Sequence, residues 1–502
     1  MFFKYHVIDS LPALAWLAKI EKGAELVDVF CGKNVETRTS FFVAGVWDGD
    51  FNKGDFDVSK FPCCTGGTLN NVKSGGVKFT TPIHLQESLF SIGINNQIYV
   101  SNSLAFVLNE TRSELDPFYK EYVSDMSSIL YGCESEKLIK SSPLKEGRVL
   151  RYHRCCNLLI DSSLNMNEEI RKSGLFFKDY NDYKCKVVQI MERLKSNALH
   201  DNREHKYGSI STISRGYDAP SACVLAKYLD CNEVVTFSNP QDDDGEEIAR
   251  ILDYAKIHKI DSKIYLRNKN YLEAEGAASG EGGATFMGLE NLYKGKLFIM
   301  GSRGDSLFER LHKNVNDALD FHVGNMLSQA SLTPYENLLK NSSVLVALPM
   351  VGADRWSDLA RISNSEEMKY WSLGNNYDRP IARRLLEDAG VKRDLFGQAK
   401  KGAGVSFSLD TLSRLKSKMS LASYKSLMEY NSSFPKRVWR DVLYKVKFYS
   451  VNFPIYANYA LNRLGIRLRI PYASGKVGML SNPHATMMLC WGVDKMKNRY
   501  NH

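Results

Sequence analysis

The sequence predicts a mixed fold: a strand-rich α+β N-terminal domain over 1–170, and an α/β domain on a parallel sheet over 171–502. Three observations predict it. A chain of 502 residues exceeds the size at which one hydrophobic core stops growing. The first third is made of short β-prone runs separated by Gly, Asn and Asp turn signals. From about Tyr207 strands alternate with helices, the grammar of a parallel sheet covered on its faces.

In chain order, TSFFVAGVWDGDF (39–51), LFSIGINNQIYVSNS (89–103) and GRVLRYHR (147–154) are the clearest early strands. INNQIYV carries the polar turn of a hairpin. The polar stretch SSLNMNEEIRKSG (162–174) is the expected linker. Beyond it come a strand at YGSISTI (207–213), a helix at APSACVLAKYL (219–229) and a strand at EVVTFS (233–238). A helix over 244–259 is expected because Ile248, Ile251, Leu252 and Ala255 share one face. KIYL (263–266) and KLFIMG (296–301) are further strands, and the last hundred residues are helical in pattern. There is no internal repeat.

Composition narrows the function classes. The net charge is +9, with 44% hydrophobic and 25% charged residues, ordinary for a globular protein with a mild preference for acidic ligands such as nucleotides. Nucleic acid is neither required nor excluded: the best basic patch, Lys436–Lys447, has the pattern of a solvated helix face. The ten cysteines contain no CxxC spacing, so buried thiols are expected rather than zinc or bridges. The N-terminal residues lack the order of a signal peptide, and no apolar run is long enough to span a bilayer. Cytoplasmic location follows as the expectation, and a homo-oligomer is compatible with all of this.

Two turns carry the chemistry. Ser214-Arg215-Gly216-Tyr217-Asp218 follows one strand and opens a helix. A small residue and a glycine allow a tight turn, so that amide N–H groups at the helix start face an anion. Pro220 suits the first helical turn, where its missing N–H costs nothing. Asp218 would repel a bare phosphate, but suits Mg²⁺ bridging phosphate oxygens. Gly301-Ser302-Arg303-Gly304-Asp305 repeats the arrangement after KLFIMG. Strand carboxyl ends share one edge of a parallel sheet, so Asp218 and Asp305 are the candidate Mg²⁺ ligands. Taken alone each turn is unspecific, since Ser, Gly and Asp recur in strand-to-helix turns and Asp305 has the look of an ordinary helix cap.

The order of motifs resembles the asparagine synthetase and β-lactam synthetase family of N-type ATP pyrophosphatases. The first turn is similar to that family's SGGxDS pyrophosphate loop, and the second to its GEGSDE turn. Ala399-Lys400-Lys401-Gly402-Ala403-Gly404-Val405 resembles its KKQGFGV segment, and KLIKSSPLKEGRVLRY its IFKGIRKLPPGHYL. The likeness runs from about residue 40 to 405. It implies an Ntn-type glutamine amidotransferase-like domain followed by an adenine nucleotide α-hydrolase-like domain, and an ATP-dependent ligase. Such an enzyme adenylates a small-molecule or peptide carboxylate, releases pyrophosphate, and forms an amide with an amine or ammonia.

On that resemblance Ser214, Arg215, Gly216, Asp218, Ser221, Ser238 and Gly301 are the expected nucleotide contacts, with Lys400 facing the transferred phosphates. Asp378 is a candidate catalytic group and Arg379 a candidate substrate contact, although Asp378 also has the position of a cap for a helix starting at Pro380. Phe2 stands where the family places a cysteine nucleophile, so no glutamine hydrolysis in cis is expected; β-lactam synthetases and lasso-peptide cyclases share that trait. Arg215 replaces a glycine, Ala219 a serine and Ser302 a glutamate; Ser221 could supply the missing hydroxyl. Two other readings fit the same residues: a nucleobase- or tRNA-modifying ATP pyrophosphatase, and a scaffold without turnover.

Overall fold

The structure is a computed structural model that describes residues 1–70, 75–84, 87–238, 245–261, 272–284, 286–310, 335–375, 377–398, 412–435, 438–464, 470 and 483–501. It has mixed α/β content, with a strand-rich N-terminal region and a parallel sheet beyond it.

The N-terminal strands begin with β1 (Phe2–Val7), β2 (Trp16–Glu21), β3 (Leu26–Cys31), β4 (Glu36–Thr37), β5 (Phe41–Val46), β6 (Cys63–Thr68) and β7 (Val77–Thr80). They continue with β8 (Leu89–Ile94), β9 (Gln97–Ser101), β10 (Ser141–Pro143), β11 (Val149–His153), β12 (Cys156–Ile160) and β13 (Met166–Ile170). One sheet runs β1-β3-β2-β9-β8-β11-β10 and the other β13-β12-β7-β6-β5-β4. Trp16 of the first sheet lies edge-on to Phe42 at 5.0 Å and stacks on Phe79 at 5.8 Å, both from the second. The two sheets therefore meet through a shared aromatic core, and the Trp16 indole N–H is satisfied by Thr65 Oγ1 at 3.0 Å. The expected hairpin forms: β8 and β9 pair from Ile94–Gln97 outward, and Asn95 takes φ 52° in the turn.

The expected linker is a correction. Residues Met166–Ile170 pair along β12, because alternate side chains of a polar strand can face water while its backbone completes the sheet edge. Arg171 then turns inward and donates to Asp57 O and Asn157 Oδ1, each at 2.9 Å.

The parallel sheet consists of β14 (Gly208–Thr212), β15 (Glu233–Ser238), β16 (Lys256–Asp261), β17 (Lys296–Met300) and β18 (Val344–Ala347). Its order is β16-β15-β14-β17-β18 with every pairing parallel. The chain thus starts in the centre, moves outward twice, then returns to the other side of β14. The switch point falls between β14 and β17.

The helix expected over 244–259 is also corrected. It spans only Glu246–Ile251. Asp253 adopts φ 56°, a left-handed conformation that ends a helix, and Lys256–Asp261 becomes the edge strand. Across that edge His258 Nε2 lies 3.0 Å from Glu233 Oε2, and Lys256 Nζ 3.6 Å from Glu233 Oε1. KIYL (263–266) lies outside the described residues. The helical C-terminal region is observed at Leu412–Ser417, Leu421–Ser432, Val438–Arg463 and Pro483–Lys497. On the Val438–Arg463 helix, Leu443 and Val446 are exposed beside Lys445 and Lys447, so the expected basic face is partly apolar. Nine of the ten cysteines are buried and all are free thiols; Cys185 is exposed. Among the described residues no helix is long and apolar enough to cross a membrane.

Candidate functional site

Ligands of open parallel sheets sit outside the strand carboxyl ends at a switch point. The two turns singled out from the sequence lie there. Ser211 of β14 is level with Ile299 of β17, so both strands end together. The first turn leads into the Asp218–Ala226 helix, with Asp218 in its first turn and no side chain capping its start. A helix start without a side-chain cap is suited to an anion. Gly216 N donates to Ser214 Oγ at 3.3 Å, and Tyr377 OH stands 3.7 Å from where a Gly216 Cβ would be.

The two turns touch. A Cβ on Gly301 would stand 2.3 Å from the Asp218 carbonyl carbon, and one on Gly304 3.0 Å from Asp218 Oδ1. Gly301 is therefore required by the approach of backbone to backbone. The Gly304–Leu307 helical turn carries Asp305 in its first turn. Chain geometry puts the Asp305 Cα within about 8 Å of the Asp218 carboxylate; the Asp305 side chain lies outside the described residues. Arg303 is buried and left-handed, with φ 74°. A third glycine, Gly245, brings the next helix against the loop: its Cβ would meet Ser214 N at 2.9 Å.

A second segment closes on this edge. Gly397 N donates to Arg215 O at 2.8 Å, Arg215 Nε donates to Leu395 O at 3.0 Å, and Gly397 takes φ 65° with no room for a Cβ against the Tyr217 ring. Lys400 lies outside the described residues.

Other sequence candidates have defined partners. Ser221 is buried and donates to Asp218 O at 3.0 Å, inside its own helix. Ser238 ends β15, with its hydroxyl 3.4 Å from Ile260 O. Asp378 is buried, but it does not cap the Pro380 helix. Its Oδ2 accepts from Ser372 Oγ at 2.5 Å and Gly374 N at 2.9 Å, and lies 3.7 Å from Arg310 Nη1. Arg379 is the N-cap residue, and Pro380 sits at the start of the helix as expected. Arg379 Nη2 pairs with Glu309 Oε1 at 3.4 Å. Asp378 and Arg379 thus form two reciprocal ion pairs with Arg310 and Glu309, fastening this segment to the residues that follow the second turn.

Sequence reading missed Tyr217 and Arg383. Both are buried; an Arg383 Nη2 N–H donates to the Tyr217 hydroxyl, and the guanidinium lies over the Tyr217 and Phe396 rings at 5.3 and 5.2 Å. Burial pushes the Tyr217 phenol pKa up, against the opposing pull of Arg383. Among the described residues no cluster of three or more His, Cys, Asp or Glu side chains is assembled. Two small pockets lie elsewhere among the described residues, one lined by Tyr152, Cys156 and Glu168 and the other by Cys63, Asn102 and Val344.

Compared with known proteins, the chain matches no protein-family model and no curated protein sequence.

Proposed function

We propose that the protein is an ATP-dependent amide-forming ligase: it adenylates a carboxylate, releases pyrophosphate, and passes the acyl group to an amine or ammonia. The observation that carries this reading is the contact of the two turns at the switch point, with Gly301 and Gly304 against Asp218. That contact supports one crevice served by an uncapped helix start and two carboxylate-bearing turns.

The chain's own groups divide the work. Amides of residues 214–217 and the positive end of the Asp218 helix stabilise phosphate oxygens without reorganisation. Asp218 and Asp305 are hard oxygen donors that suit Mg²⁺ and would hold it. The ion supplies neutralisation of polyphosphate charge. Lys400, carried by the segment anchored at Gly397, adds a positive charge near the α-phosphate. A substrate carboxylate oxygen then bonds to the α-phosphorus as the bond to the β-phosphate oxygen breaks and pyrophosphate departs. The amine attacks the resulting acyl carbon and AMP leaves.

Trapping with hydroxylamine tests this without knowing the natural amine. Enzyme, MgATP, hydroxylamine and a panel of carboxylates should yield a hydroxamate with AMP and pyrophosphate in equal amounts. Asp218→Asn should reduce AMP formation at least ~100-fold, and Lys400→Ala by roughly 10²–10³, the range for losing one transition-state charge partner. ADP and phosphate as products, or AMP formation indifferent to Asp218→Asn, would refute the proposal.

A further inference from the structure

We infer that Arg383 is a ligand-binding residue: its guanidinium receives the phosphate pair that departs as inorganic pyrophosphate. The inference rests on the ATP reading above and assigns to that site a cation that the sequence did not reveal.

Arg383 is wholly buried on the Pro380–Asp388 helix. Its Nη2 donates to the Tyr217 hydroxyl, while Nε and Nη1 have no hydrogen-bond partner among the described residues. Its ion-pair partner, Glu387, lies 3.5 Å from Nη1, and that carboxylate is already held by Arg393 through two shorter bonds of 2.7 and 2.9 Å. The guanidinium is thus shut away from water with most of its donors unused and its charge shared out. Such a group is costly to bury unless something completes it. A guanidinium fork fits two phosphate oxygens at once.

Its position supplies the occupant. Tyr217, which accepts the Arg383 hydrogen bond, is the N-cap residue of the Asp218–Ala226 helix, and that helix start has no side-chain cap. Arg383 therefore stands one side chain behind an anion-attracting helix start. Gly397 packs directly on the Tyr217 ring, and a Cβ there would clash with it, so the hydroxyl is held at the guanidinium. The phenol takes one donor of the guanidinium; phosphate oxygens in the loop would take the donors that remain and compete with the phenol for the first.

The test uses magnesium pyrophosphate as the probe, by titration calorimetry, with MgATP in parallel and thermal melting of each variant. Wild type should bind both. Arg383→Gln should weaken pyrophosphate binding at least tenfold, with Arg383→Lys recovering only part, since lysine keeps the charge and loses the fork. Tyr217→Phe removes the competing acceptor and should bind pyrophosphate about two- to fivefold more tightly even though its melting temperature falls. Should Arg383→Gln fail to fold, Tyr217→Phe decides alone: unchanged or weaker binding overturns the inference. Wild type that binds MgATP, with Arg383 variants that bind pyrophosphate equally well, removes the inference and leaves the ligase reading standing. Wild type that binds neither removes both.

Discussion

A methyl group on Gly301 would stand 2.3 Å from the Asp218 carbonyl carbon and 2.5 Å from Ala219 N, and backbone cannot give way as a flexible side chain can. Gly301→Ala should therefore destabilise the fold by about 1–3 kcal/mol, the usual cost of overpacking, and should impair MgATP binding by pushing the two turns apart. Melting and titration of the same variant would check both effects; an unchanged melting temperature would mean the turns are not in contact. Both turns were legible in the sequence, because a glycine, a small hydroxyl residue and an aspartate after an apolar run state their own local geometry. Tyr217 and Arg383 were not legible. Their hydrogen bond spans 166 positions, and nothing in the spacing of an arginine on a helix says which ring it will meet. Asp378 misled for a related reason: its place before Pro380 matches a cap, yet tertiary donors from Ser372 and Gly374 claim the carboxylate.

Element-level errors had a common source, the competition between local pattern and sheet completion. Ile248, Ile251, Leu252 and Ala255 have helical spacing, but Asp253 turns left-handed and Lys256–Asp261 extends the sheet beside β15. Polar Met166–Ile170 has a linker's composition and still pairs along β12, because backbone pairing at an edge needs no apolar side chains. The chain segment after β13 is pinned rather than loose. Ser173 donates to Asp354 through N at 2.7 Å and Oγ at 2.6 Å, and Phe177 N donates to Asp358 Oδ2 at 3.0 Å. Asp354→Ala would strand two buried donors, at about 1–3 kcal/mol each at most. We predict a loss of about 2–4 kcal/mol by denaturant titration, with Asp354→Asn recovering part of it. A change below about 0.5 kcal/mol would show that the junction is a flexible tether after all.

For the whole molecule, the seam between the N-terminal sheets and β18 imposes a pH dependence. His84 is buried near this seam, and burial pushes its pKa from the ordinary 6.5 down to about 3. A folded pKa below the unfolded one means that the contribution is intact above pH 6.5 and drains away as pH falls. Between pH 6.5 and 5, before most carboxylates titrate, wild type should lose roughly 1–2 kcal/mol more stability than His84→Leu. Parallel pH profiles would show the imidazole to be solvated. The architecture itself, strands first and a parallel sheet after, was legible from alternation and turn signals. The order of the five parallel strands was not, since pairing partners are chosen by packing across distant segments, and it is that order which sets β14 beside β17. The direct measurement of the central claim is a calorimetric titration of wild type and Asp218→Asn with MgATP. A single saturable site in wild type, weakened at least tenfold by Asp218→Asn, is what the switch-point crevice predicts. Equal affinity in the two proteins, or no binding by correctly folded wild type, would contradict it.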